Sequence, residues 1–214
     1  MSTRGADAQH ALVVAAERLF AEHGIHGVSL RDVAAAAGQR NNSAVQYHFG
    51  DRRGLVAAVY RSHMTRIDAR RVAMLLDLDV ALDAGESDVA EFVRIVVEPL
   101  VEEVATSNGW YGRFLAACRW EPLASEVSGE LEVTRGLTAT VGRLRDVLAD
   151  LPSDVRSHRL ALLHDTVIAA IAAWEWARDR DRPHLPADRL ADDVVATTTA
   201  LLLVPTAQSC AAQS

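Results

Sequence analysis

Between Gly38 and Arg53 the chain reads Gly38-Gln39-Arg40-Asn41-Asn42-Ser43-Ala44-Val45-Gln46-Tyr47-His48-Phe49-Gly50-Asp51-Arg52-Arg53, and most of these side chains can hydrogen-bond. The side-chain amides of Asn42 and Gln46 set a donor beside an acceptor, the pattern that pairs with adenine in the major groove. A guanidinium such as that of Arg40 pairs with guanine. Ser43 and Tyr47 add hydroxyls suited to base edges or phosphates. Arg40, Asn42, Ser43, Gln46 and Tyr47 are therefore candidate DNA-reading residues, with the base read by each left open. Phe49 reads as a packing residue, and Tyr47 fits packing and DNA contact equally.

Other constellations are thinner. His23 and His26 are three residues apart but have no Cys or carboxylate at ligand spacing, so no metal is expected there. His158, His164 and Asp165 lack a third ligand at a workable spacing, and His164 and Asp165, as neighbours on a helix, point apart. No nucleophile, base and orienter are arranged together. Neither a catalytic site nor a cofactor is expected.

The candidate residues need a scaffold, and the residues before them supply one. Ser29 is a good helix N-cap, with Asp32 three residues on to complete a capping box. The Ala-rich run Val33-Ala34-Ala35-Ala36-Ala37 has high helix propensity and little bulk, so a neighbouring helix can come close. Gly38 sits where a C-terminal glycine lets the chain turn left-handed. Asn41 or Asn42 can cap a second, two-turn helix ending at Phe49-Gly50, and Asp51 can cap the next helix from Arg52. This is the layout of a DNA-binding helix-turn-helix.

Residues 10–55 resemble the DNA-binding domain of the TetR/AcrR family of bacterial transcriptional regulators. The matching residues are Ala16, Leu19, Phe20, Gly24, Gly27, Ser29, Val33, Ala34, Ala37-Gly38, Tyr47-His48-Phe49, Arg52 and Leu55. The resemblance implies that His48 and Arg52 lie at the DNA backbone. Amides at the starts of the second helix, capped by Ser29, and of the fourth can also take phosphates. Two departures stand out. The step from Gly38 to Phe49 is one residue longer than the family's, with the extra residue in Gln39-Arg40. Gln46 replaces the first Tyr of the family's Tyr-Tyr-His-Phe run. The extra residue is expected to bulge the turn and leave the third helix in its usual pose, rather than start that helix early.

The net charge of −7 argues against a protein that coats nucleic acid generally, and its distribution is more informative. Residues 1–53 hold six Arg and five acids, whereas residues 54–214 hold sixteen Arg and twenty-four acids. DNA is tolerated by the first part and repelled by the second. All basic residues are Arg, which accords with the Ala- and Arg-rich usage of GC-rich coding. No run of eighteen apolar residues or secretory leader is read. Cys118 and Cys210 lack paired spacing, so free thiols and a cytoplasmic setting are expected.

Helical periodicity predicts an all-α chain of about nine helices, with no strand pattern. The first spans about 7–23, the second and third form the pair above, and the fourth runs from Arg52 to about Leu78. Arg61, Arg66, Arg70 and Arg71 on the fourth read as a solvated basic face. A loop follows over 79–88, then a fifth helix over about 88–106 that Pro99 should kink. A sixth lies between Gly109 and Pro122 and a seventh over about 125–148. The eighth covers about 153–180, apolar nearly all round from Leu160 to Ala177, and the ninth about 187–204. The expected domains are a DNA-binding head at 1–53, a ligand-binding and dimerisation body at 54–205, and a flexible tail at 206–214.

The resemblance implies an effector pocket within helices four to eight. Its candidate lining is Met64, Met74, Leu78, Phe92, Trp110, Tyr111, Phe114, Cys118, Trp120, His164, Ile168 and Trp174. It also implies a homodimer through helices eight and nine, which the apolar stretch supports independently; Ile171, in its middle, is the expected interface residue. The expected function is a ligand-responsive dimeric transcriptional regulator, a repressor, that binds palindromic double-stranded operator DNA and is released by a small apolar or aromatic effector. The alternatives are a DNA-binding regulator governed by a protein partner or by no effector and, further off, a helical enzyme.

Overall fold

The computed structural model describes residues 3–39, 41, 43–82, 88–107, 109–130 and 134–205. They form ten helices and no strand: α1 Thr3–His23, α2 Leu30–Ala36, α3 Ala44–Phe49, α4 Arg52–Leu82, α5 Val89–Thr106, α6 Tyr111–Cys118, α7 Pro122–Glu130, α8 Arg135–Val147, α9 Ser153–Asp179 and α10 Ala187–Leu203. The expected all-α class holds. One helix more is present than expected, because the predicted seventh is two, α7 and α8. The fourth also runs past Leu78 to Leu82. Expectations for Arg40, Asn42, Cys210 and the 206–214 tail lie outside the described residues.

The head folds around apolar residues at helical spacing. Leu12, Ala16 and Phe20 of α1, Val33 and Ala34 of α2, Val45 of α3 and Leu55, Val56 and Val59 of α4 are fully buried together. A Cβ on Gly54 would stand 1.9 Å from the Phe49 carbonyl oxygen, so a residue without one lets α4 begin this close to the end of α3.

α4 continues from the head into the body, where it packs on α5, α7 and α8. Two buried carboxylates tie the body by capping helices other than their own. Asp68 of α4 accepts from the amides of Gly136 (3.0 Å) and Leu137 (3.1 Å) at the start of α8. Glu175 of α9 accepts from the Arg113 amide (2.9 Å) in the first turn of α6. In each case the unpaired amides and positive dipole end of a helix offset the cost of burying the carboxylate. Burial nonetheless raises the Glu175 pKa, against the opposing pull of the Arg113 and Gly112 amides and of the Arg113 and Arg178 charges.

Head and body meet at an aromatic and ionic junction. Phe114 of α6 lies 6.4 Å from Phe20 of α1 and 5.2 Å from Tyr60 of α4, ring centre to ring centre. Beside them His63 of α4 stacks on Tyr111 at 3.9 Å. Its two ring nitrogens lie 2.8 Å from Glu17 of α1 and 2.7 Å from Glu103 of α5. Only an imidazolium donates to both carboxylates.

Candidate functional site

The turn between α2 and α3 is built as its residues dictate. Ser29 and Asp32 form a reciprocal capping box: the Asp32 amide donates to Ser29 Oγ (3.1 Å) and the Ser29 amide to Asp32 Oδ2 (2.9 Å). The hydroxyl and amide of Ser29 also hold the Asp32 pKa below the usual carboxylate value. At the other end Gly38 has φ +68°, and the amides of Gly38 and Gln39 reach back to the carbonyls of Ala35 (3.0 Å) and Ala34 (2.9 Å). These two bonds make a Schellman close, available because glycine bears the left-handed conformation without a Cβ clash.

α3 then begins at Ala44. Asn41 organises its entry: its Oδ1 accepts from the Ser43 amide (2.9 Å) and its carbonyl from the Ala44 amide (3.0 Å). The helix does not start early, although Arg40, where the extra length was expected to bulge, is not among the described residues. Val45 anchors α3 in the core and Phe49 packs against it half-buried. Ser43 and Gln46 are exposed, and Tyr47 is 85 % exposed. Tyr47, for which packing and DNA contact were equal readings, therefore stands in solvent. It meets the half-buried His48 edge to face, with ring centres 5.0 Å apart.

Arg52 makes contacts within the chain that its motif did not announce. Its Nη1 donates to the carbonyls of Ile25 and, at 2.6 Å, Val28, so it ties the start of α4 to the α1–α2 loop. Asp51 caps α4 as expected, with Oδ1 accepting from the Gly54 amide at 2.8 Å. Two contacts extend the frame to the body: His26 Nε2 lies 3.0 Å from a Glu121 carboxylate oxygen, and Arg53 forms an ion pair with Glu126 (2.9 Å).

The body holds a cavity of about 410 Å³ between α4 and α9, open to solvent on one side where Ser125, Gly129, Thr138 and His164 are exposed. α4 contributes Tyr60, Met64 and Arg71; α5 contributes Val96 and Leu100; Leu115, Cys118 and Arg119 come from α6 and its C-terminal cap. Ser125, Ser128 and Gly129 of α7, Thr134, Leu137 and Thr138 at the start of α8, and His164, Val167 and Ile168 of α9 complete the wall. Burial raises the Cys118 thiol to about 12, so it is no thiolate nucleophile at neutral pH.

Of the predicted lining, Met64, Cys118, His164 and Ile168 reach this cavity. The other eight do not. Phe92, Tyr111 and Phe114 are consumed in the core, and Met74 and Leu78 pack half-buried against it. Trp174 is buried with its Nε1 donating to the Leu185 carbonyl at 2.7 Å. Trp110 lies beneath the Arg113 guanidinium, 3.8 Å from its ring centre, and Trp120 is 80 % exposed. A second correction concerns Arg71, read from sequence as part of a solvated face: it is 2 % exposed. The available signal was its place on the stripe Tyr60, Met64, Ile67, Arg71, which keeps helical spacing.

α9 is less covered than its composition suggests. It is long and apolar enough to cross a membrane, and a third of that apolar window is buried inside the chain. Leu160, Leu163, Val167, Ile168, Ile171 and Trp174 face inward, while Ala161, Ala169, Ala173 and Trp176 are exposed. Ile171, the expected interface residue, is fully buried against Gly112 of α6, so it belongs to the core of one chain. No cluster of three or more metal-binding side chains occurs among the described residues.

Residues 12–59 match the family model of the bacterial regulatory proteins of the tetR family. No curated protein matches the chain. Solved structures share its fold over nearly their whole length. The fatty acid degradation regulator FadR from Bacillus halodurans is 16 % identical with a TM-score of 0.59, covering 92 % of this chain and 99 % of that one. A protein from Shewanella sp. PV-4 assigned to the tetR family of transcription regulators is 15 % identical (TM-score 0.60, 91 % and 95 % covered). The TetR-like regulator LfrR from Mycobacterium smegmatis, solved with proflavine, is 19 % identical (TM-score 0.52, 94 % and 99 % covered). At these identities the likeness speaks for the fold.

Proposed function

We propose that the chain, whose residues 12–59 match the family model of the bacterial regulatory proteins of the tetR family, is a homodimeric repressor that reads a palindromic operator through α3 and is released by a small molecule. One observation carries the reading: α3 turns Ser43, Gln46 and Tyr47 to solvent while Val45 and Phe49 hold its other face on the head. A short helix so presented enters a major groove, with Gln46 at base edges and Tyr47 and Ser43 at edges or phosphates. Arg40 and Asn42, His48 at the backbone, and the amides of the turn capped by Ser29 complete the proposed contact. Arg52, whose Nη1 ties α4 to the α1–α2 loop, is proposed at the DNA backbone beside His48.

The proposed head, residues 1–53, and body, residues 54–205, are joined by α4, whose first turns also pack into the core of the head. It starts under α3 and then lines the cavity with Tyr60, Met64 and Arg71. A ligand that binds one pose of α4 better than another shifts the spacing of two reading helices, at a typical coupling of ~1–3 kcal/mol. The cavity favours a small-molecule effector over a protein partner, and LfrR, of the same fold, was solved with proflavine. The exposed face of α9, with α10 beside it, supports an isologous two-fold contact, whose symmetry matches a palindrome. A chromosome-binding regulator of this kind works in the cytoplasm.

The test is selection of the full chain on a random duplex library. Enrichment of inverted half-sites one helical turn, or a multiple of it, apart is the expected result. Recovery of no motif beyond salt-dependent non-specific binding would contradict the reading.

A further inference from the structure

Arg71 is the largest fully buried side chain among the described residues. One guanidinium nitrogen is satisfied: Nη2 donates to the Val96 carbonyl at 2.9 Å. Nε and Nη1 are buried with no partner. Asp68, the buried acid one turn back on α4, has given both oxygens to the amides of α8. Burial lowers the Arg71 pKa to about 10, against the pull of Asp68, so the group stays cationic at neutral pH. Asp68 supplies opposite charge nearby but no acceptor, and buried donors without acceptors are costly.

That residue forms part of the wall of the 410 Å³ cavity. Arg119 and His164 share the wall, and no described lining residue is acidic, although the chain carries a net charge of −7. Arg119 already has a counter-ion in Asp165. The imidazole pKa of His164 is lowered, by burial first and then by Arg119, with Arg71 adding to that effect and Asp165 opposing it. Asp165 and Asp68 balance the two guanidinium charges, so what distinguishes this wall is the pair of buried Arg71 donors that have no acceptor. Met64, Leu100, Val167 and Ile168 make the remaining surface apolar.

We infer that the ligand of this cavity is an amphiphilic monoanion, a carboxylate on an apolar body, whose oxygens supply the acceptors that Nε and Nη1 of Arg71 lack. The inference rests on the effector reading of the cavity and gives that effector a charge and a class. A guanidinium–carboxylate contact made away from water is among the stronger single polar contacts available. The apolar body covers the rest of the wall.

The probes are decanoate, decanol and decylamine, each titrated calorimetrically into the full chain below its micellar concentration. Decanoate is expected to bind about tenfold or more tightly than decanol, with decylamine not binding. In Arg71→Met, which keeps an apolar stem of similar length, decanoate should fall to the affinity of decanol. Equal binding of decanoate and decanol to the unaltered chain, or binding of none of the three, overturns the inference; that comparison does not depend on the variant folding. A folded Arg71→Met that keeps the preference also overturns it. Tight decanoate binding that leaves operator affinity unchanged would sink the effector role while upholding the class of the ligand.

Discussion

At the scale of single residues, Gln46 and Arg52 sit close in sequence and do different work. Gln46 is exposed on α3 and free to meet a base edge. Gln46→Ala should relax preference at one position in each half-site, by about 1–3 kcal/mol of discrimination, and leave stability unchanged. Competition binding with single-base operator variants measures this; a loss shared by every sequence would assign Gln46 to phosphate instead. Arg52 spends Nη1 on the Ile25 and Val28 carbonyls. Arg52→Ala should cost about 1–3 kcal/mol in urea unfolding, since a part-buried tie is lost and its acceptors are stranded. Unchanged stability with a smaller salt slope for DNA would leave Arg52 only the backbone role its motif suggested. The contrast shows where residue type is a good guide. Ser29, Gly38 and Asp51 act within a few residues of themselves, so spacing alone predicted their hydrogen bonds. The partners of Arg52 lie 24 and 27 residues away, and the burial of Arg71 depends on α5 and α8 closing over it. Such contacts leave no local trace, apart from the register of Arg71 with the apolar stripe of α4.

The elements carry the next level. α9 presents two apolar faces, and one chain uses one of them. The inward face holds Ile171 against α6, and the outward face leaves Ala169, Ala173 and Trp176 exposed. Ala173→Arg should leave the monomer folded, because the new guanidinium points to solvent, yet turn a dimer into monomers in light scattering. Ile171→Arg should unfold the chain, because it buries an unpaired charge in a closed core. If Ala173→Arg stays dimeric while folded, the interface lies on another face. Periodicity located nearly every helix, because each buries an apolar stripe. It failed at residues 125–148, where one predicted helix is two, and among the aromatic residues expected to line the cavity. Phe92, Tyr111, Phe114 and Trp174 share the composition of pocket residues, but large rings fill a core equally well, and only packing decides between the two. Ser125, Ser128, Thr134 and Thr138, which do line the cavity, have the composition of ordinary helix-end residues.

Across the whole molecule, head and body are joined by a buried charge cluster that titrates. Burial alone would lower the imidazole pKa of His63, but hydrogen bonds and charge from Glu17 and Glu103 outweigh it and the net shift is upward. Its contribution to stability is therefore complete below the ordinary histidine value of 6.5 and is lost as pH rises through the elevated folded value. Glu103 runs the other way. Burial would raise its pKa, yet Arg66 and His63 lower it, so its contribution is present above the ordinary carboxyl range and lost on acidification. Unfolding free energy should peak between these limits and fall on the alkaline side. His63→Gln should abolish the alkaline fall and lower the plateau; an alkaline fall that persists in the variant would place its source elsewhere. The same junction links α1, which packs on α2 of the helix-turn-helix, to α5, which lines the cavity, and the proposed regulation needs two such chains acting together on one DNA. Native mass spectrometry of the full chain with its selected palindromic duplex tests that most directly. The expected result is one duplex carrying two chains, and no stable complex when Ala173→Arg removes the dimer. A single chain bound to the full site with undiminished affinity, or a complex that survives as monomers, would contradict it.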